Sequence, residues 1–249
     1  MHSALTLSLL RWSAWTPGAT RVDEWRALLC AGAQADADTS TKANVDFVAP
    51  MLRRRLSSLS RSALAVAHDC LQGVEGADSC RTLFASPHGE VGRTVELLQQ
   101  LAADEPLSPN AFSLSVHNTA SGLHAIVTGN RAASTALAAG RDTLALAFID
   151  AAGRLARDPQ PLLLVYADEP LPPFYQRWQP QPARALALAL LLAPAQAGGR
   201  NLQLQRSADR AAAADPLALL PLLLGTAADA TVGGERSGWR WQIDGSAAA

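Results

Sequence analysis

The stretch from residue 132 to residue 167 restricts the fold more than any other part of the chain. "AASTAL" at 132–137 reads as a strand, the small residues after it as a bend, and 139–157 as a helix whose centre, "LALAFI", is apolar on nearly every side. "PLLLVYA" at 161–167 then shows no polar alternation, as expected of a strand covered on both faces. Elements buried all round need a sheet held between two helical layers. The succession of strand, helix and strand predicts right-handed crossovers and a mainly parallel sheet, hence an α/β fold.

The flanking segments extend this pattern. Leu5, Leu7 and Leu9 alternate with Thr6 and Ser8, a half-buried strand, and 22–31 reads as a short helix. From Pro50, Leu52, Leu56, Leu59, Ala63 and Val66 form one helical stripe with Arg54 and Arg61 on the opposite face, so a single amphipathic helix with a basic back is expected. "RTLFAS" at 81–86 is a strand, and Val91, Val95, Leu98 and Leu101 recur at helical spacing after it. Ser108 followed by Pro109 reads as an N-cap and first-turn proline. The small residues of 118–129 suit a helix that approaches a neighbour closely. Beyond a Pro-rich connector at 168–182, the chain reads as strands at 185–193, 200–206 and 237–243, with a helix near 215–225 opened by Asp215-Pro216.

Composition narrows the function. A chain of 249 residues with 49% hydrophobic content fills a substantial core. Its formal net charge of −1, from 21 basic and 22 acidic residues, gives no global field for nucleic acid or anionic lipid. The N-terminal run lacks the features of a signal peptide, and the apolar stretches 185–194 and 216–225 are about half of the ~20 residues that span a bilayer. The expectation is a cytoplasmic protein with no membrane span. Cys30, Cys70 and Cys80 form no C-x-x-C pair, and His2, His68, His88, His117 and His124 form no H-x-x-x-H, so neither a metal site nor a cofactor is expected. No Ser lies in G-x-S-x-G, and "GEVGRT" at 89–94 lacks a phosphate-binding pattern.

The run "FASPHGEVGRTVELLQQLAADEPLSPNAFSLSVHNTASGLHAIVTGNRAASTALAAGRDT" resembles the N-terminal half of the β-ketoacyl synthases, enzymes of the thiolase-type fold. There a strand with a G-E pair, a Ser-Pro-x-x-F segment, an S-V-x-N helix and a T-A-C-A-S-G nucleophile turn follow in this order. More closely, "PMLRRRLSSLSRSAL", "ASPHGE", "LSPNAFSLSVHN" and "LLVYADEPLP" resemble the short synthase-like proteins of bacterial aryl polyene clusters, which act as chain-length factors beside a catalytic synthase.

The resemblance implies a thiolase-like layered fold in a single domain over 1–249, with an N-terminal half at 1–170 and an abbreviated C-terminal half at 171–249. It also places Leu137 at the cysteine position of "TALAAG". Leucine has no nucleophilic atom, so the covalent thioester step is chemically impossible there, and no His follows residue 124. The implied role is a non-catalytic subunit that pairs with a catalytic ketosynthase as a heterodimer and shapes its acyl tunnel. Phe112, Val116, Asn118, Thr119, Leu123, Thr135 and Leu137 are the implied tunnel and interface positions. Arg53, Arg54 and Arg61 are the implied docking site for an acidic acyl carrier protein. Two other readings stand beside it: an acyltransferase or thioesterase with its nucleophile moved to Ser86, Ser115 or Cys80 and His88 or His117 as base, and a plain carrier-protein scaffold.

Overall fold

A computed structural model describes residues 4–31, 41–178, 184–196, 200–209 and 215–244. The strands are β1 Leu5–Trp15, β2 Arg81–Ala85, β3 Ser134–Leu137, β4 Leu162–Asp168, β5 Leu186–Pro194, β6 Asn201–Ser207, β7 Asp229–Gly233 and β8 Gly238–Asp244. The helices are α1 Val22–Ala31, α2 Pro50–Arg53, α3 Ser58–Leu71, α4 Val91–Ala102, α5 Pro109–Ser113, α6 Thr119–Thr128, α7 Thr143–Arg157 and α8 Leu220–Leu223. All eight strands join one sheet in the order β3-β2-β4-β5-β1-β6-β8-β7.

The two long apolar runs form the centre of this sheet because each fills both of its faces. Leu162, Leu164 and Tyr166 of β4 pack with Leu188, Leu190 and Leu192 of β5 against α7 and the C-terminal strands. Leu163, Val165 and Ala167 point the other way with Ala187, Ala189 and Leu191, onto α3 and α6. Every one of these side chains is at most 4% exposed. Each such leucine contributes roughly 1.5–3 kcal/mol of burial.

The α/β layering is as expected, but the sheet is mixed rather than mainly parallel. Only β2–β3 and β2–β4 are parallel; β4–β5, β5–β1, β1–β6, β6–β8 and β8–β7 are antiparallel. A parallel pair needs a crossover of a dozen or more residues, usually helical. The helices α6 and α7 supply crossovers around β2, β3 and β4, whereas no long helix lies between β4 and β5 among the described residues. The N-terminal strand, longer than its first alternating residues suggest, slots between β5 and β6 and so separates two strands adjacent in sequence.

The expected helix from Pro50 to residue 71 is broken in two. Ser57 caps α3 afresh, its Oγ accepting from the Ser60 amide at 2.9 Å. Serines that bond nearby backbone compete with helix continuation. Leu59, Ala63 and Val66 are buried as the stripe requires, and Leu52 and Leu56 pack partly on the same core. In α4 the repeating apolar residues behave differently: Leu97 is buried, while Leu98 and Leu101 are 53% and 60% exposed. The Asp215-Pro216 signal opens a short 3-10 turn ahead of α8, with Asp215 Oδ1 accepting from the Leu217 amide at 2.9 Å.

Candidate functional site

The candidate site is the bend between β3 and α7. Among the described residues the strand β3 is an edge, paired in parallel with β2 on one side only, and Leu137 is its last residue, opposite Ala85. The Ser86 amide donates to the Leu137 carbonyl at 3.1 Å and so carries the ladder one residue further. The Leu137 side chain is half-buried and packs against the α7-side core. After it, Gly140 takes φ +54°, a left-handed conformation that glycine adopts without strain. Thr143 Oγ1 accepts from the Ala139 amide at 3.0 Å and donates to the Gly140 carbonyl at 2.6 Å, closing the turn into α7. The geometry is a tight strand-to-helix turn whose last strand residue, Leu137, carries only hydrocarbon. Such a turn can hold neighbours in place but cannot form a thioester.

Sequence reasoning missed the residues that secure this bend from outside. Asp142 accepts from Trp239 Nε1 at 2.6 Å and from the Glu235 amide at 3.3 Å, so the β7–β8 hairpin sits on the start of α7. The Gly233-Gly234 pair ahead of "WRWQI" is the signal that could have announced a hairpin there. No local pattern links it to Asp142.

The alternative nucleophiles are not brought onto a base. Ser86 Oγ accepts from the Gly89 amide at 2.9 Å, and His117 Nε2 donates to the Ser86 carbonyl at 2.8 Å, not to its hydroxyl. Ser115 Oγ donates to the Phe112 carbonyl at 2.8 Å. Cys80 Sγ faces backbone carbonyls, and burial pushes its thiol above the ordinary value, which opposes thiolate formation. His88 lies 3.3 Å from Asp168 instead. The loop carrying His88 is fixed by Glu90, which is 3% exposed and accepts from Ser57 Oγ at 2.8 Å and Ser60 Oγ at 2.5 Å. Close by, Ser58 donates to Glu169, whose carboxyl is raised by desolvation first, the Ser58 bond opposing.

The resemblance-derived positions divide into two environments. Thr119 and Leu123 are buried at 6% and 3%, whereas Phe112 and Val116 stand 68% and 50% exposed and Asn118 is also exposed. Thr135 is half-buried on the edge strand itself. The helices α6 and α7 cover opposite faces of the sheet, and each turns apolar side chains to solvent: Ile126 from α6, Leu146 and Ile149 from α7. The helix α6, which packs on β3, and α7, which follows that strand, thus each leave hydrocarbon uncovered. Among the arginines, Arg53 is turned inward, with Nη1 2.6 Å from Asp46 Oδ1 and further bonds to the Val48 carbonyl. Arg61 is half-buried and reaches the Arg53 carbonyl at 3.4 Å. Arg54 is exposed with no side-chain bond among the described residues, next to Met51 at 74% exposure.

Among the described residues there is no cluster of three or more His, Cys, Asp or Glu that could hold a metal ion, and no helix is long and apolar enough to cross a membrane. No curated protein matches the chain. Among solved structures, a chain of the ketosynthase ApeO in complex with its chain length factor ApeC, from Xenorhabdus doucetiae, superposes with a TM-score of 0.80 at 30% identity, covering 96% of this chain and 99% of that one. The ishigamide ketosynthase/chain length factor gives 0.62 at 18% identity, over 82% of this chain and 68% of that one. The type II polyketide synthase assembly AntDE:AntF, an acyl-carrier protein in complex with its ketosynthase, gives 0.60 at 13% identity, over 82% and 69%. The last two share the fold. The chain matches the family model for the N-terminal domain of β-ketoacyl synthase over residues 25–242, and it belongs to that family.

Proposed function

We propose that the protein is a non-catalytic ketosynthase-like subunit, a chain-length factor, that pairs with a catalytic ketosynthase and shapes its acyl tunnel. The observation that carries this reading is Leu137 at the end of a strand edge left unpaired among the described residues, with α6 and α7 turning apolar side chains to solvent. An open edge offers a row of unmet amides and carbonyls to a partner strand. The uncovered Phe112, Val116, Ile126, Leu146 and Ile149 supply the apolar area that a lasting interface buries. Support also comes from the near end-to-end match with a chain of a ketosynthase and chain length factor complex.

In this reading the segment from α5 to the start of α6 carries the exposed Phe112 and Val116 toward the partner's growing acyl chain. Their bulk ends elongation by filling apolar volume, since one methylene too many in a packed cavity costs about 1–3 kcal/mol. The partner supplies the nucleophile and the imidazoles. Residues 1–249 act as one unit, with 171–249 as a shortened second half. Arg54, exposed and unpaired, is the first contact for an acidic acyl carrier protein, and Arg53 and Arg61 support the backbone beneath it.

Co-expression with a ketosynthase encoded beside it tests the pairing. A 1:1 complex is expected by native mass spectrometry, and Ile149→Glu should weaken it by placing a charge in the apolar border. A chain that stays alone, or a complex untouched by that charge, would contradict the reading.

A further inference from the structure

Asp142 occupies the N-cap position of α7, where an aspartate ordinarily accepts from the amides of its own helix. Here it makes no such bond. Both oxygens turn to the C-terminal strands, Oδ1 to Trp239 Nε1 at 2.6 Å and Oδ2 to the Glu235 amide at 3.3 Å. Trp239 is only 8% exposed, so its indole N–H depends on that acceptor. The approach is close on both sides. A Cβ on Gly234 would overlap Asp142 Oδ1 and stand 2.8 Å from Trp239 Nε1, and one on Gly140 would lie 3.3 Å from Glu235 Oε1. The Arg206 guanidinium lies 5.8 Å over the outer face of the Trp239 ring.

Strand pairing does not impose this contact, because five strands separate β3 from β8 in the sheet. A cleft of about 470 Å3, bordered by Asp142, Arg206, Glu235, Arg236, Ser237 and Trp239, flanks it. The body of the hairpin is held by the β6–β8 ladder and by Trp241 against Phe148 of α7, while at its turn, beside the cleft, the hydrogen bonds to Asp142 tie it to the bend.

We propose that the β7–β8 hairpin is a clasp on the bend after β3. Asp142 and Trp239 are its positioning residues, and they hold Leu137 and the open edge of β3 in the geometry that a partner strand meets. The inference rests on the pairing role proposed above. It gives the shortened C-terminal part a structural role, since in place of catalytic histidines that part delivers an indole and a backbone amide to one carboxylate.

Amide hydrogen exchange on the full chain, followed by mass spectrometry, tests the clasp directly. Asp142→Ala should raise exchange across residues 134–142 by about tenfold while β4 and β5 keep native protection. Asp142→Asn retains an oxygen for the indole N–H and should raise it less. In a reconstituted pair, the product-length distribution should broaden in the same order. Unchanged exchange across 134–142 in both variants overturns the clasp. Should the alanine variant unfold, the asparagine variant decides: a rise confined to 134–142 supports the clasp, and none refutes it. A native chain that binds no ketosynthase would defeat the pairing role alone, since the exchange result is read without a partner.

Discussion

Acidification should weaken the fold through one buried imidazole. His124 lies on α6 against Phe84, with ring centroids 5.5 Å apart, and is 3% exposed. Its Nε2 is buried with no hydrogen-bond partner among the described residues. Desolvation lowers its pKa from 6.5 to about 4, so the folded chain resists a proton that the unfolded chain accepts. Because the folded value is depressed, the native state is favoured fully above pH 6.5 and loses ground as pH falls from there toward 4. Between pH 7.5 and pH 5.0 the difference in bound protons amounts to about 2 kcal/mol from this residue alone. Urea unfolding at the two pH values, on the native chain and on His124→Leu, isolates the effect, because other titrations are common to both. The variant should lose about 2 kcal/mol less on acidification. Equal losses in the two proteins would show that the imidazole titrates normally in the fold and would refute the reasoning.

Other substitutions follow from the same contacts. Leu164→Ala removes a fully buried side chain from the central strand and should lower unfolding free energy by about 2–5 kcal/mol in a denaturant titration. Ser57→Ala removes the α3 cap and one of two hydroxyls on buried Glu90, and should cost on the order of 1–2 kcal/mol in the same assay. Leu137→Cys should not create a condensing enzyme: mass spectrometry after incubation with acyl thioesters should show no turnover, because His117 and His88 are committed to the Ser86 carbonyl and to Asp168, and His124 is buried against Phe84. Arg54→Glu should weaken carrier-protein binding, and the native affinity should fall with added salt, as calorimetry would record.

What could be read from the sequence was what local patterns determine. The runs at 161–167 and 185–193 are so apolar that only the centre of a covered sheet accommodates them, and they occupy that centre. The strand order was not legible, because the insertion of β1 between β5 and β6 is decided by packing across more than 170 residues. Strand β7 escaped notice since Val232 is its only large buried residue, too little for an alternation to register. At the site, the strand ending at Leu137 and the turn into the helix after it were legible from the local pattern. The bond from Trp239 to Asp142 was not, because it joins positions 97 residues apart through side chains whose types are unremarkable in their local context. Arg53 and Arg54 are neighbours on one basic run, and only the structure separates an inward, ion-paired guanidinium from a free one.

The length distribution of products from a reconstituted ketosynthase pair tests the central claim most directly. With Val116→Trp adding bulk and Phe112→Ala removing it, the account predicts shorter and longer chains respectively than the native pair makes, with no product from this subunit alone. Identical distributions from all three pairs, or elongation by the lone subunit, would contradict it.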